Sequence, residues 1–292
     1  QPETIPILKR IRDLADRYPE RFLMAEIHDR EWDRVIAEYT APGLLHSAYP
    51  LPIVTSPRIG LIRSLVERLE AHPGVWPSYA FSNHDAMRVL TRWGGEDAPP
   101  AFARQMVALL LSLRGTPILY QGEELGLPEA DIPYDRIVDP PGKAFWPANK
   151  GRDGARSPMP WHGDEPQAGF SPIEPWLPVD PRHPGLAVDR QEADADSTLA
   201  FTRRFIAWRK AQPALITGDL RFLPLSDDLV GIARQAGGAQ VRAVFNIGEH
   251  DAELEIEAGF EPLEGHGLPA RHEGSHLRLP RYGGAFLART GN

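Results

Sequence analysis

The feature that most constrains the fold is a short apolar segment that recurs through the first part of the chain. At intervals of about 25 to 35 residues, these segments end near Glu26, Leu51, Asp85 and Tyr120. Helical patterns lie between them, most clearly over residues 59–69 and 101–113. Because each interval has the length of one strand and one helix, the repeat predicts a parallel sheet covered by helices.

The pattern changes after a last helical segment at residues 199–210. From Leu215 onward, glycine-rich turns separate short apolar segments. These segments predict strands at residues 229–234, 240–245, 252–256 and 284–289. We therefore expect an α/β region over residues 1–214 and a small antiparallel β domain over residues 215–292.

The number of strand–helix units leaves the type of sheet open. Four units are visible, whereas a closed β/α barrel needs eight. Either the sheet is open and doubly wound, or half of a barrel is absent from this chain. A glycine fingerprint of the dinucleotide-binding type follows none of the strands, which disfavours the open sheet.

Composition excludes several classes of function. A net charge of −8 disfavours a nucleic-acid-binding surface, and the absence of cysteine excludes disulfides, thiol catalysis and thiolate metal sites. No apolar run approaches the roughly 20 residues that span a bilayer, and Gln1 to Pro6 do not resemble a signal peptide. We expect a cytoplasmic protein with neither a nucleic-acid nor a membrane partner.

Prolines are concentrated between Pro128 and Pro184, in a segment without helical or strand periodicity. This segment also contains aromatic residues that are uncommon in disordered chains, namely Phe145, Trp146, Trp161, Phe170 and Trp176. Long irregular segments in a compact domain are usually functional. We therefore expect an ordered loop over the mouth of the sheet, with packing inside the loop favoured over stacking of these rings on sugars.

Two carboxylates lie where such a sheet presents its chemistry. Glu26 and Asp85 each close an apolar segment, and the carboxyl ends of parallel strands meet at one mouth. Two carboxylates about 5 Å apart suit glycoside hydrolysis with retention of configuration. Alternatively, each carboxylate caps a helix or pairs with an arginine. His84, beside Asp85, fits a site residue and a packed, hydrogen-bonded residue about equally well.

Other acidic residues of the chain are assigned structural roles. Glu123 and Glu124 have no second carboxylate cluster at ligand spacing, so hydrogen bonding is favoured over a metal site. Asp153 is predicted to brace the loop that carries Arg152 and Arg156.

Several segments resemble the α-glucosidase branch of the α-amylase superfamily, glycoside hydrolase family 13. Met24-Ala-Glu26 is similar to the third conserved region of that family, and Phe81-Ser-Asn-His-Asp85 to the fourth. Residues 115–126 resemble the eighth barrel strand and its exit. Residues 152–161 resemble a loop typical of α-glucosidases that act on oligosaccharides and of sucrose isomerases. The resemblance runs through most of residues 15–215.

This resemblance implies a retaining α-glucosidase, or an α-glucosyl-transferring enzyme, that acts on the non-reducing end of short α-glucosides. Glu26 would be the general acid/base, and Asp85 the catalytic carboxylate that binds sugar hydroxyls and stabilises the transition state. His84 and Arg156 would bind the substrate, with Arg156 anchoring the terminal glucosyl unit. No metal site and no cofactor are expected in this chain.

One departure from the family pattern is decisive. The nucleophilic aspartate of the family, in a Gly-Phe-Arg-x-Asp-like segment, is absent, and the nearest approach, residues 10–13, lies on the predicted first helix. We therefore expect the C-terminal half of a (β/α)8 TIM barrel, with a loop at about 121–197 after the eighth strand, and then a small antiparallel β-sandwich. The N-terminal half would be a separate chain or a fragment. A structural cation, where the enzyme has one, would belong to that half.

Two other readings remain open at the level of sequence. One is a non-catalytic amylase-like ectodomain, although such domains usually lack the carboxylates that are present here as Glu26 and Asp85. The other is an open-sheet α/β protein that binds a small ligand.

Overall fold

The structure is a computed structural model that describes residues 3–289, so Gln1, Pro2 and the last three residues lie outside it. Four short parallel strands follow one another along the first part of the chain: β1 (Met24–Ile27), β2 (Ser47–Pro50), β3 (Ser78–Ala80) and β4 (Thr116–Ile118). β1 pairs with β2 and β3 with β4. The two pairs meet where the hydroxyls of Ser47 and Ser78 approach to 2.7 Å.

Helices connect and cover these strands. They are α1 (Thr4–Ala15), α2 (Trp32–Tyr39), α3 (Leu51–Val54), α4 (Ile62–Glu70), α5 (Val89–Gly94), α6 (Pro100–Ser112), α7 (Pro140–Ala144), α8 (Val188–Glu192), α9 (Thr198–Lys210) and α10 (Pro213–Thr217). α4 buries Ile62, Val66 and Leu69, which share one helical face. The predicted order of strands and helices is therefore confirmed.

β3 and β4 end earlier than their apolar patterns predict, and β4 ends at Ile118 instead of near Tyr120. β3 ends at Ala80, so Asp85 lies in the turn beyond the strand and not at its last residue. Side chains of that turn satisfy its backbone, since Ser82 Oγ accepts a hydrogen bond from Val89 N at 2.8 Å and Asn83 Oδ1 accepts one from Asp85 N at 2.9 Å. Such local bonds compete with strand pairing and end the strand.

The last part of the chain forms two antiparallel sheets. Its strands are β5 (Arg221–Phe222), β6 (Leu229–Ala236), β7 (Ala239–Asn246), β8 (Ala252–Glu255), β9 (Phe260–Pro262), β10 (Arg271–Glu273), β11 (His276–Leu279) and β12 (Gly284–Arg289). One sheet has the order β5-β6-β7-β12-β9 and the other β10-β11-β8. Leu277 and Leu279 of the smaller sheet share a buried cluster with Val244 and Leu287 of the larger one. The predicted sandwich is therefore present.

The opposite face of the larger sheet packs on the helices of the α/β region. Ala243, Phe245 and Phe286 of this face share one hydrophobic core with α6 and α9. Gln105 on α6 donates from Nε2 to Asn246 O at 2.7 Å and to Gly283 O at 3.0 Å. The change from helices to strands falls between α10 and β5, close to the predicted boundary at residue 215, and the division into two domains stays a prediction.

The long segment between β4 and α9 is ordered by its own small clusters. Leu125, Leu127 and Met159 pack with Leu199 of α9. A second cluster contains Ala130, Ile132, Ile137 and Leu177, with Trp146 packed against it. Within residues 3–289, no helix is long and apolar enough to cross a membrane.

Candidate active site

Glu26 occupies the carboxyl end of β1, and its side chain is exposed at the mouth of the strands. Tyr49, its partner in the register of β2, donates its hydroxyl to Glu26 Oε2. Asn83 Nδ2, from the turn after β3, lies 3.5 Å from the same oxygen and 3.4 Å from the Tyr49 hydroxyl. The Glu26 carboxylate is therefore oriented by one residue of β2 and one residue of the turn after β3, and the Glu26 side chain remains exposed.

Asn83 connects Glu26 to Asp85. Its side-chain amide faces Glu26, and its Oδ1 accepts a hydrogen bond from the backbone N–H of Asp85 at 2.9 Å. The structure thus brings Glu26 and Asp85 to one mouth, although Asp85 reaches it from a turn and not from a strand end. The Asp85 side chain is one-third exposed (33%), so it is open to a ligand.

Two arginines of the long loop converge on one oxygen of Asp85. Arg156 Nη2 donates to Asp85 Oδ1 at 2.7 Å, and Arg152 Nη1 donates to the same oxygen at 3.1 Å. The other oxygen, Oδ2, lies 3.6 Å from Nε2 of His84. Arg156 also donates from Nε to the His84 backbone carbonyl at 2.8 Å. This bond does not involve the His84 imidazole, which is exposed. All four predicted site residues therefore lie at this mouth, three of them in direct contact.

A buried aspartate fixes the first of these arginines. Asp139 accepts hydrogen bonds from Arg152 Nη2 at 2.6 Å and from Arg152 N at 2.8 Å. These bonds hold the pKa of Asp139 below its usual range. Asp153 in turn accepts from Val138 N at 2.7 Å and from Asp139 N at 2.9 Å. The prediction that Asp153 braces this loop is confirmed.

Sequence reasoning missed three residues of this arrangement, Tyr49, Asn83 and Asp139. Asn83 was recoverable, because it stands within the segment that contains His84 and Asp85. Tyr49 shows only as part of an apolar strand. Asp139 gives no local signal, since its partner Arg152 lies on a different part of the loop.

The paired glutamates after β4 serve the backbone of their own turn. Glu123 Oε2 accepts from Tyr120 N at 3.0 Å, and Glu124 Oε2 accepts from Gly122 N at 2.7 Å. Burial raises the pKa of Glu123 to about 7. Among the described residues there is no group of three or more side chains that could hold a metal ion. These contacts agree with the structural role predicted for Glu123 and Glu124.

Glu26 lies at the end of β1 and Asp85 in the turn after β3. Parallel strands that carry two carboxylates in this way define half of a β/α-barrel active site. The family model described as "Alpha amylase, catalytic domain" matches residues 60–218. A protein named "Probable alpha-glucosidase" from Rhizobium meliloti (strain 1021) is 40% identical over 296 residues, covering 99% of this chain and 53% of that protein. The chain belongs to the α-amylase family.

Other relatives agree with this assignment. A "Glucan 1,6-alpha-glucosidase" from Streptococcus dysgalactiae subsp. equisimilis is 33% identical over 197 residues, which is 60% of this chain and 36% of that protein. Among solved structures, the "alpha-glucosyl transfer enzyme, XgtA" is 43% identical with a TM-score of 0.94, over 99% of this chain and 55% of that one. The predicted fold class is confirmed, and the chain spans about half the length of these two matches of high coverage.

Proposed function

We propose that the protein to which this chain belongs is a retaining α-glucosidase, or an α-glucosyl-transferring enzyme, acting on the non-reducing end of short α-glucosides. The observation that carries the proposal is the placement of Glu26 and Asp85 at one mouth, linked through Asn83. The intact carboxylate pair favours this function over a non-catalytic ectodomain. The cytoplasmic location expected from the sequence stays a prediction.

In this proposal, Glu26 is the general acid/base. Its exposed face can reach the glycosidic oxygen, and the hydrogen bonds from Tyr49 and Asn83 fix the direction of its carboxyl group. Asp85 binds sugar hydroxyls and stabilises positive charge at the anomeric carbon. Both arginines bind Oδ1 of Asp85. The other oxygen, Oδ2, and the exposed His84 ring are therefore available to the terminal glucosyl unit.

The nucleophile is proposed to come from the other half of the barrel. Two features of residues 3–289 support such a partner: β1 pairs only with β2 and β4 only with β3, and α1 exposes apolar residues that include Ile7, Ile11 and Leu14. Open strand edges and exposed apolar faces call for a covering element. We propose that the complementary N-terminal half, as a separate chain or as part of the same one, supplies that cover and the attacking aspartate.

The complete protein is therefore expected to release glucose from short α-glucosides with retention. Proton NMR of the anomeric region should show the α-anomer of glucose first, with the β-anomer appearing only by mutarotation. An initial β-anomer would rule out the retaining mechanism, and no turnover of any α-glucoside would rule out the function. Adding a sugar acceptor and counting glucosyl transfer against glucose release would separate transferase from hydrolase.

Replacing Arg156 by alanine in the complete protein should lower kcat/KM for disaccharides by about 10- to 100-fold, mainly through a higher KM. The reason is the loss of two charge-assisted contacts, to Asp85 Oδ1 and to the His84 carbonyl. Steady-state kinetics would measure this. The matched control is Arg203→Ala on α9, which removes an exposed ion pair with Glu192 of α8. Kinetics equal to those of the control would show that Arg156 does not bind substrate.

A further inference from the structure

Two side chains behind the candidate site hold the same carbonyl oxygen. Arg88 Nη2 donates to Ala155 O at 3.1 Å, and the Tyr120 hydroxyl donates to that oxygen at 2.9 Å. The guanidinium carbon of Arg88 lies 5.3 Å from the centre of the Tyr120 ring, so the two donors approach side by side. Ala155 directly precedes Arg156, whereas Arg88 follows Asp85 on the turn after β3. Arg88 thus ties the loop that carries Arg156 to the turn that carries Asp85, and Tyr120 ties the same loop to the segment that follows β4.

Arg88 is a rigid anchor for this contact. Its residue exposure is 2%, its Nη1 donates to Gln121 O at 2.6 Å, and its backbone N–H donates to Glu129 Oε2 at 2.8 Å. Burial raises the pKa of the Tyr120 hydroxyl above its usual range, so this group remains a donor at neutral pH. Both donors are therefore held in place by their surroundings.

We propose that Tyr120 and Arg88 are positioning residues. They fix the place at which Arg156 binds Asp85, and thereby the position at which the terminal glucosyl unit binds. The inference rests on the proposed function. It goes beyond that function, because within residues 3–289 neither side chain is hydrogen-bonded to any of the predicted site residues. Small displacements of positioning groups weaken catalysis even when the fold is intact.

The test is Tyr120→Phe in the complete protein, which removes one donor and keeps the ring beside Arg88. We expect kcat/KM for a short α-glucoside to fall about 5- to 10-fold, chiefly through KM, as for one lost hydrogen bond. The melting temperature should change by only a few degrees. Tyr39→Phe is the matched control: Tyr39 ends α2, and its hydroxyl makes no hydrogen bond within residues 3–289.

A double-mutant cycle distinguishes positioning from a structural role. If Tyr120 acts through Arg156, then Tyr120→Phe should have no further effect on kcat/KM in the Arg156→Ala background. Additive losses, or a loss in the Tyr120 variant no larger than that of the Tyr39 control, would overturn the inference and leave the proposed function standing. A complete wild-type protein without activity on α-glucosides would overturn the proposed function, and the inference with it.

Discussion

Replacing Glu26 by glutamine in the complete protein is expected to lower kcat for unactivated α-glucosides by about 10²- to 10⁴-fold. Glutamine keeps the size and the contact with Tyr49 but cannot transfer a proton to the leaving group. Rates measured with disaccharides should show the full loss. The melting temperature should stay close to that of the wild type, since Glu26 is exposed and glutamine has nearly the same size.

Two further measurements make this prediction specific. Azide needs no general base, so it should intercept the glucosyl-enzyme in the Glu26→Gln protein and restore turnover of a substrate with a good leaving group. Glu38→Gln is the matched control, because Glu38 is an exposed glutamate on α2. If the Glu26→Gln protein turned over disaccharides within tenfold of the Glu38→Gln rate, Glu26 would not be the general acid/base.

Residues 1–292 expressed alone are expected to aggregate and to be inactive on p-nitrophenyl α-glucoside. Ahead of β1 in the chain, the apolar residues Ile7, Ile11, Leu14, Tyr18 and Phe22 are exposed, and among the described strands β1 pairs only with β2. Exposed apolar surface together with an open strand edge favours self-association. Co-expression with an N-terminal half that carries the nucleophilic aspartate should restore a discrete species and turnover. Size-exclusion chromatography and release of p-nitrophenol would measure both.

Variants of α1 locate the contact between the halves. Ile11→Asp should prevent restoration, because it puts a charge on the apolar face that the partner would cover. Lys9 is an exposed residue of the same helix, and it forms an ion pair with Asp13. The Lys9→Asp variant should therefore still regain a discrete species and turnover on co-expression. A discrete, active species of residues 1–292 without any partner would mean that the nucleophile lies within this chain.

Much of the fold follows from local patterns. The spacing of Ile62, Val66 and Leu69 predicts α4, and the long apolar segments predict β6 and β7 nearly to the residue. β5, β9, β10 and β11 were not predicted, because no continuous apolar segment marks them. The strand assigned up to Asp85 was too long, because Ser82 and Asn83 bind the backbone of their own turn.

The candidate site was predictable only in part. Glu26 and Asp85 are predicted from their places after apolar segments, and His84 from its place beside Asp85, whereas Arg156 is implied by the family resemblance. The structure gathers these residues at one mouth. What the sequence does not show is which oxygen each arginine takes. That choice depends on Asp139 and Asp153, whose hydrogen bonds fix the loop in three dimensions.

The amide of Gln105 limits how such a protein can evolve. Both carbonyls that it binds belong to the β-sandwich, one at the end of β7 and one just before β12, while Gln105 itself stands on a barrel helix. A sandwich recombined from another lineage would have to bring these two carbonyls to the same place, or leave a buried amide unpaired. Substitutions of α6 and of these two sandwich segments are therefore expected to be coupled, since either can leave the Gln105 amide without its partners.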